Sequence, residues 1–270
     1  MADASPSATR PEDEVEMSFV EHLEELRTRL IRVAYGLVPA MALAWFFKER
    51  LLELLAQPLV VANRRLKGTA AGSDAAVTNL DLHAPMDALV AYFKLTFVAG
   101  LMLSAPWIFW QLWAFISPGL YRREKRLAIP FVLASTLFFL GGAAFGYFIV
   151  FPMAFETLLS FSGTLPGGQV RLDPELKLQE HLSFTTRLLV AFGVVFEVPV
   201  VVTFLAAIGL VNWRQLLRFS RWWVLIATIL AAMLTPPDVV SQLLMLVPLV
   251  TLYFVAVLLA AVVGRRRAAS

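Results

Sequence analysis

Glu197 stands alone in AFGVVFEVPVVVTFL (191–205), two residues before Pro199 and with no basic residue within a helical turn or two. A carboxylate in mid-helix costs about 2.5–3.5 kcal/mol on membrane-insertion scales, so it must face protein or trapped water. Such a group can be a polar packing contact, a proton or ion site, or a recognition point for a partner's membrane helix. TPPDVVSQ (235–242) sets further polar groups, Asp238 and Gln242, between apolar stretches. In FVEHLEELRTRL (19–30), Glu25 and Arg29 form an i, i+4 pair and Glu24 and Arg27 an i, i+3 pair, while Glu21 and Glu25 repel mildly. That pattern is either a surface helix whose charges satisfy one another or an acidic face able to accept a cationic ligand. In WAFISPGLYRREKR (113–126), Arg122, Arg123, Lys125 and Arg126 surround the single acid Glu124. Phe115, Ile116, Leu120 and Tyr121 make this connector apolar enough to be a docking surface rather than only a basic loop.

Other chemistries find no residues to carry them. His22, His83 and His181 fall in different segments, the chain has no cysteine, and no HExxH or paired-carboxylate motif offers a metal site. There is no phosphate-binding glycine loop and no GxSxG elbow, and Ser104 and Ser183 have no base nearby in sequence. The expectation is a protein that is not an enzyme and needs no cofactor or metal.

These residues must be positioned by membrane helices. Hydrophobic residues make up 59% of the 270 positions, and the mean hydropathy is +0.72, far too apolar for an ordinary soluble domain. The apolar residues are blocked into runs, and a span takes about 20 residues. Runs at 30–47, 86–113, 127–159 (interrupted by Pro152), 184–210, 222–234 and 243–263 give six spans. A polar, partly amphipathic segment separates the first two. The fifth run is short, about 20 Å of helix against a hydrocarbon core of about 30 Å. Residues 1–18 read as a disordered extension, 19–264 as the membrane domain and 265–270 as a basic tail. Arg27, Arg29, Arg32, Arg122, Arg123, Lys125, Arg126, Arg214, Arg218, Arg221 and Arg265, Arg266 and Arg267 crowd the span ends on one side. The positive-inside rule therefore predicts both termini in the cytoplasm, and it accounts for the basic loops without a nucleic-acid partner. Trp107, Trp110 and Trp113, at i, i+3, i+6, fit an interfacial aromatic belt, although Trp107 also suits a place between helices.

HLEELRTRL (22–30), SPGLYRREKR (117–126), FEVP (196–199) and TPPDVVSQ (235–242), in this order and with these spans between them, resemble TatC over about 19–263. TatC is the multispanning receptor subunit of the twin-arginine (Tat) protein translocase. The resemblance implies an all-α polytopic membrane protein of six transmembrane helices, with a glove-like concave face and the last two helices short. It implies no enzyme, but a receptor for the twin-arginine signal peptides of folded precursors, in the bacterial cytoplasmic (inner) membrane. It further implies a multimeric complex with TatA-type and TatB-type single-span partners, and transport driven by the proton motive force.

Carried over residue by residue, the resemblance makes Glu25 and Glu124 the contacts of the signal arginines and Arg27 and Arg29 the motif's own arginines. Pro58 becomes the proline after the first helix, and Phe115 the loop phenylalanine of signal recognition. Glu197 becomes the buried fourth-helix acid, Asp238 and Gln242 the polar positions of the last hairpin, and Tyr147 an aromatic near the far end of the third helix. The competing reading is a proton-coupled secondary transporter using Glu197. Such folds often carry internal repeats with matching broken helices, and FEVP has no second copy.

Overall fold

The structure, a computed structural model, describes residues 19–67, 85–116, 128–160, 163–164, 171–172, 177–235 and 239–268. Its elements follow the apolar runs, with boundaries set by proline and capping chemistry. Helix α1 (Phe19–Phe46) is followed directly by α2 (Lys48–Lys67), the amphipathic segment. Helices α3 (Pro85–Leu103) and α4 (Ala105–Ile116) form one nearly continuous rod, broken where Pro106 has no N–H to offer the Met102 carbonyl. The Ser104 hydroxyl caps that break by donating to the Gly100 carbonyl at 2.7 Å.

The third apolar run folds as α5 (Ala128–Phe145), a π-type turn (Gly146–Val150) and α6 (Phe151–Ser160). The wider turn lies just before Pro152, whose ring would clash with the Phe148 carbonyl in regular α geometry. Two-residue strands, β1 (Gly163–Thr164) and β2 (Arg171–Leu172), pair antiparallel ahead of α7 (Leu178–Ala207). Helix α7 ends in a Schellman arrangement. Gly209 takes φ 82°, its N–H bonds the Ala206 carbonyl, and the Leu210 N–H reaches back to Leu205. Only glycine adopts that φ without strain. After a short turn come α8 (Trp213–Leu234) and α9 (Val239–Ala268).

Among the described residues, six helical stretches are long and apolar enough to cross a membrane, in agreement with the expected spans. The expected shortness of the last two helices holds for the apolar run of α8 alone, since the apolar part of α9 spans 24 residues. Helix α8 starts at Trp213, where Gln215 accepts the Asn212 N–H, so basic turns precede the apolar run and the helix has 22 residues. Helix α9 has 30 residues and continues through the basic tail to Ala268.

Helix α7 is central: it packs against α3, α5, α8 and α9, and Leu182, Leu188 and Phe192 on it are fully enclosed. Helix α2 lies on α6 and α3, while α1 rests on α3 and α4. Only 6% of the α1 span is buried, so most of it faces away from the other helices.

Candidate functional site

The seam between α1 and α4 is a polar helix contact. Trp107, Gln111 and Phe115 recur at i, i+4, i+8 and so share one face of α4. Each meets a partner progressively earlier in α1, which makes the helices antiparallel. The Trp107 indole donates to the Arg32 carbonyl at 2.8 Å, and its ring fills the space over Gly36, where any added Cβ would overlap it. The Arg29 guanidinium donates to Gln111 Oε1 at 3.2 Å. Near the start of α1, the His22 ring stacks on Phe115 with centroids 4.5 Å apart.

Glu25 sits inside this seam, with its side chain only 17% exposed. Oε1 accepts from Arg29 Nη2 at 3.1 Å, realising the i, i+4 pair expected from sequence. Oε2 is enclosed and accepts no hydrogen bond among the described residues. Arg29, fixed by Gln111 on its other nitrogen, therefore holds the carboxylate by one oxygen and leaves the second as an acceptor. Such an oxygen suits a guanidinium, whose planar fork of donors makes short charge-assisted bonds to carboxylate. Arg27 is exposed and does not pair with Glu24, contrary to the i, i+3 expectation. Phe115 is half-buried beside this site. Glu124 lies outside the described residues.

Pro58 and Tyr147 come together elsewhere. Pro58 is buried in the middle of α2 and has no N–H, which leaves the Leu54 carbonyl without its usual i+4 donor. The Tyr147 hydroxyl supplies that donor at 2.6 Å, with Gln57 Oε1 3.4 Å away. This cluster is at the far end of α1 from Glu25, about 30 Å along the helix axis, so Pro58 does not share a site with Glu25.

Glu197 lies on α7, about 15 Å from its Ala207 end at 1.5 Å per residue. Its Oε1 is enclosed and has no hydrogen-bond partner among the described residues. The side chain borders a cavity of about 390 Å³ walled by Phe109, Trp113, Ser135, Val201 and Phe204. Trp113 is buried here and donates to Ser135 Oγ at 3.1 Å, which corrects the aromatic-belt reading for this tryptophan. A buried hydroxyl acceptor on α5 outcompetes the interface for its N–H. Gln242 is half-buried in the first turn of α9, at the opposite end of α8 from the turn that closes α7, so it is not brought to Glu197. Asp238 is outside the described residues.

Sequence reasoning missed Gln111 and gave His22 no role. The signal for Gln111 was present: it is a lone amide in APWIFWQLWAFI, and a polar residue inside an apolar helix needs a partner.

Comparison with known proteins converges on one family. The family model for "Sec-independent protein translocase protein (TatC)" matches residues 21–248. The Sec-independent protein translocase protein TatC of Desulforapulum autotrophicum is 39% identical over 255 residues, 94% of this chain and 88% of that protein. The protein of the same description from Aquifex aeolicus is 34% identical over 251 residues, 93% of this chain and 98% of its own. A crystal structure described as the twin arginine translocase receptor TatC matches with a TM-score of 0.74 at 33% identity, covering 90% of this chain and 99% of that one.

Proposed function

Because the chain belongs to the TatC family of Sec-independent protein translocase proteins, we propose that it reads the arginine pair of twin-arginine signal peptides through Glu25. The observation that carries this reading is the half-engaged carboxylate: one oxygen on Arg29, the other enclosed and accepting nothing among the described residues. A fully exposed ion pair contributes only about 0–1 kcal/mol. The enclosure of Glu25 between α1 and α4 lifts its contact with an incoming arginine above that range. Glu124, on the connector that follows α4, takes the second arginine, and Phe115 packs against the apolar stretch of the peptide. Arg29 orients the Glu25 carboxylate, and Arg27, exposed nearby, adds positive charge to the same end of α1.

On this reading the protein is a receptor rather than a catalyst. It sits in the bacterial inner membrane with both termini in the cytoplasm, where the crowded arginines at the span ends belong. It assembles with TatA-type and TatB-type single-span subunits into a multimeric complex that draws on the proton motive force. Glu197 and its cavity, together with Gln242 and Asp238, offer polar contacts to partner helices. The transporter reading gains no support from the family match.

Photocrosslinking of a twin-arginine peptide to the membrane-inserted protein tests the assignment, with a twin-lysine peptide as control. Glu25→Ala and Glu124→Ala should each lower the yield about tenfold, the scale of one charge-assisted bond, while insertion is unchanged. Wild-type crosslinking in the double variant removes both residues from the recognition site.

A further inference from the structure

Two cations inside the membrane-spanning region take no part in the site described above. Lys94 on α3 and Arg187 on α7 face one groove, and Lys94 Nζ donates to Ser183 Oγ at 2.8 Å. The groove, about 270 Å³, is walled by Phe97, Val98 and Val190, with the polar edge formed by Lys94, Ser183, Thr186 and Arg187. Lys94, Arg187 and Phe97 are exposed, so the groove opens outward from the helix bundle. Among the described residues neither cation has a carboxylate partner, and Arg187 makes no hydrogen bond.

Depth identifies what neutralises them. Lys94 is nine residues in from the Pro85 end of α3, and Arg187 nine residues in from the Leu178 end of α7. Each Cα therefore lies about 14 Å from its helix end. Helix α7 is about 45 Å long, so it overhangs a hydrocarbon core of about 30 Å by about 7 Å at each end. The Arg187 Cα is then about 7 Å inside the hydrocarbon, and Lys94 reaches to Ser183, one turn nearer the Leu178 end, so both side chains can snorkel toward a headgroup.

We propose that the Lys94–Arg187 groove between α3 and α7 is a binding site for an anionic phospholipid, whose phosphate is held by both cations and whose acyl chain lies along Phe97, Val98 and Val190. The Arg187 fork matches two phosphate oxygens, Lys94 supplies a point charge, and the Ser183 hydroxyl, an acceptor from Lys94, has its own proton to give. A lipid of the leaflet at the Pro85 and Leu178 ends brings phosphate and acyl chain to this depth together. The groove shares no residue with the twin-arginine site, so either assignment stands or falls without the other.

Native mass spectrometry of the purified full chain in detergent, titrated with phosphatidylglycerol, tests the site. The wild type should retain a phosphatidylglycerol molecule about tenfold more strongly than a Lys94→Gln, Arg187→Gln double variant of equal thermal stability. Equal retention overturns the proposal. Inorganic phosphate that displaces the lipid at matched concentration also overturns it, because the site then reads a free anion. Phosphatidylcholine retained as well as phosphatidylglycerol overturns the anionic preference. If the double variant does not fold, a benzophenone amino acid in place of Phe97 in the otherwise unchanged chain decides. A covalent adduct of phospholipid mass supports the site, and its absence in phosphatidylglycerol-containing vesicles overturns it.

Discussion

At the scale of single residues, Pro58 and Tyr147 explain each other. The proline removes a donor from α2, and the tyrosine hydroxyl returns one to the Leu54 carbonyl. The Leu54 carbonyl, on a helix outside the six candidate spans, thereby keeps a protein donor in place of the amide that the proline lacks. Tyr147→Phe should therefore destabilise the protein by about 1–2 kcal/mol. Adding Pro58→Ala restores the amide N–H and should recover most of that loss. A double-mutant cycle by thermal unfolding in detergent measures the coupling, and additive effects would dissociate the two residues. Sequence showed both residues as notable but not as partners, because nothing along the chain reveals that α2 folds back against the π-type turn. Glu25 was more legible: its pair with Arg29 is local, whereas the Gln111 contact that orients Arg29 comes from 82 positions away.

At the scale of elements, the seam depends on how closely α1 and α4 approach. Gly36 permits that approach, since the Trp107 ring occupies the place of a side chain. Gly36→Val should push the helices apart and break the Trp107–Arg32 and Arg29–Gln111 bonds. The expected outcome is a membrane-inserted protein with twin-arginine crosslinking reduced by about tenfold or more. Unchanged crosslinking would show that the seam does not position Glu25. The apolar runs announced the six spans because long hydrophobic stretches are a strong signal. Their ends were read less well. Asn212 and Gln215 start α8 ahead of its apolar run, and the capping chemistry there outweighs hydropathy. The tryptophan triplet was misread at Trp113 because periodicity gives a face but not its partner, and Ser135 is on another helix.

At the scale of the whole molecule, α4 is a shared wall. One face carries Gln111 toward α1 and Glu25, and another carries Phe109 and Trp113 toward the Glu197 cavity. The two acids are therefore neighbours through one helix without touching. Glu197→Gln keeps the shape and replaces the carboxyl by an amide, so it should leave peptide crosslinking at wild-type level while lowering complex assembly and export. Blue-native electrophoresis and an export assay check this, and unchanged export would reduce Glu197 to a packing residue. No local pattern showed this arrangement in advance: that Glu197 turns toward protein followed from composition, but the cavity needs three helices to form.

The slight burial of α1 also bears on how the protein is made. A helix with 6% of its span enclosed owes little of its place in the bilayer to its neighbours, so it can insert as soon as it leaves the ribosome. Its partner face arrives only when Trp107 and Gln111 have been synthesised, more than seventy residues after Arg32. Until then Glu25 and Arg29 travel as a self-neutralised pair on a single turn of helix. Glu25 therefore gains the Gln111-fixed setting of its partner Arg29 only late in biogenesis, and an unfinished chain holds α1 in the membrane before the α1–α4 seam exists.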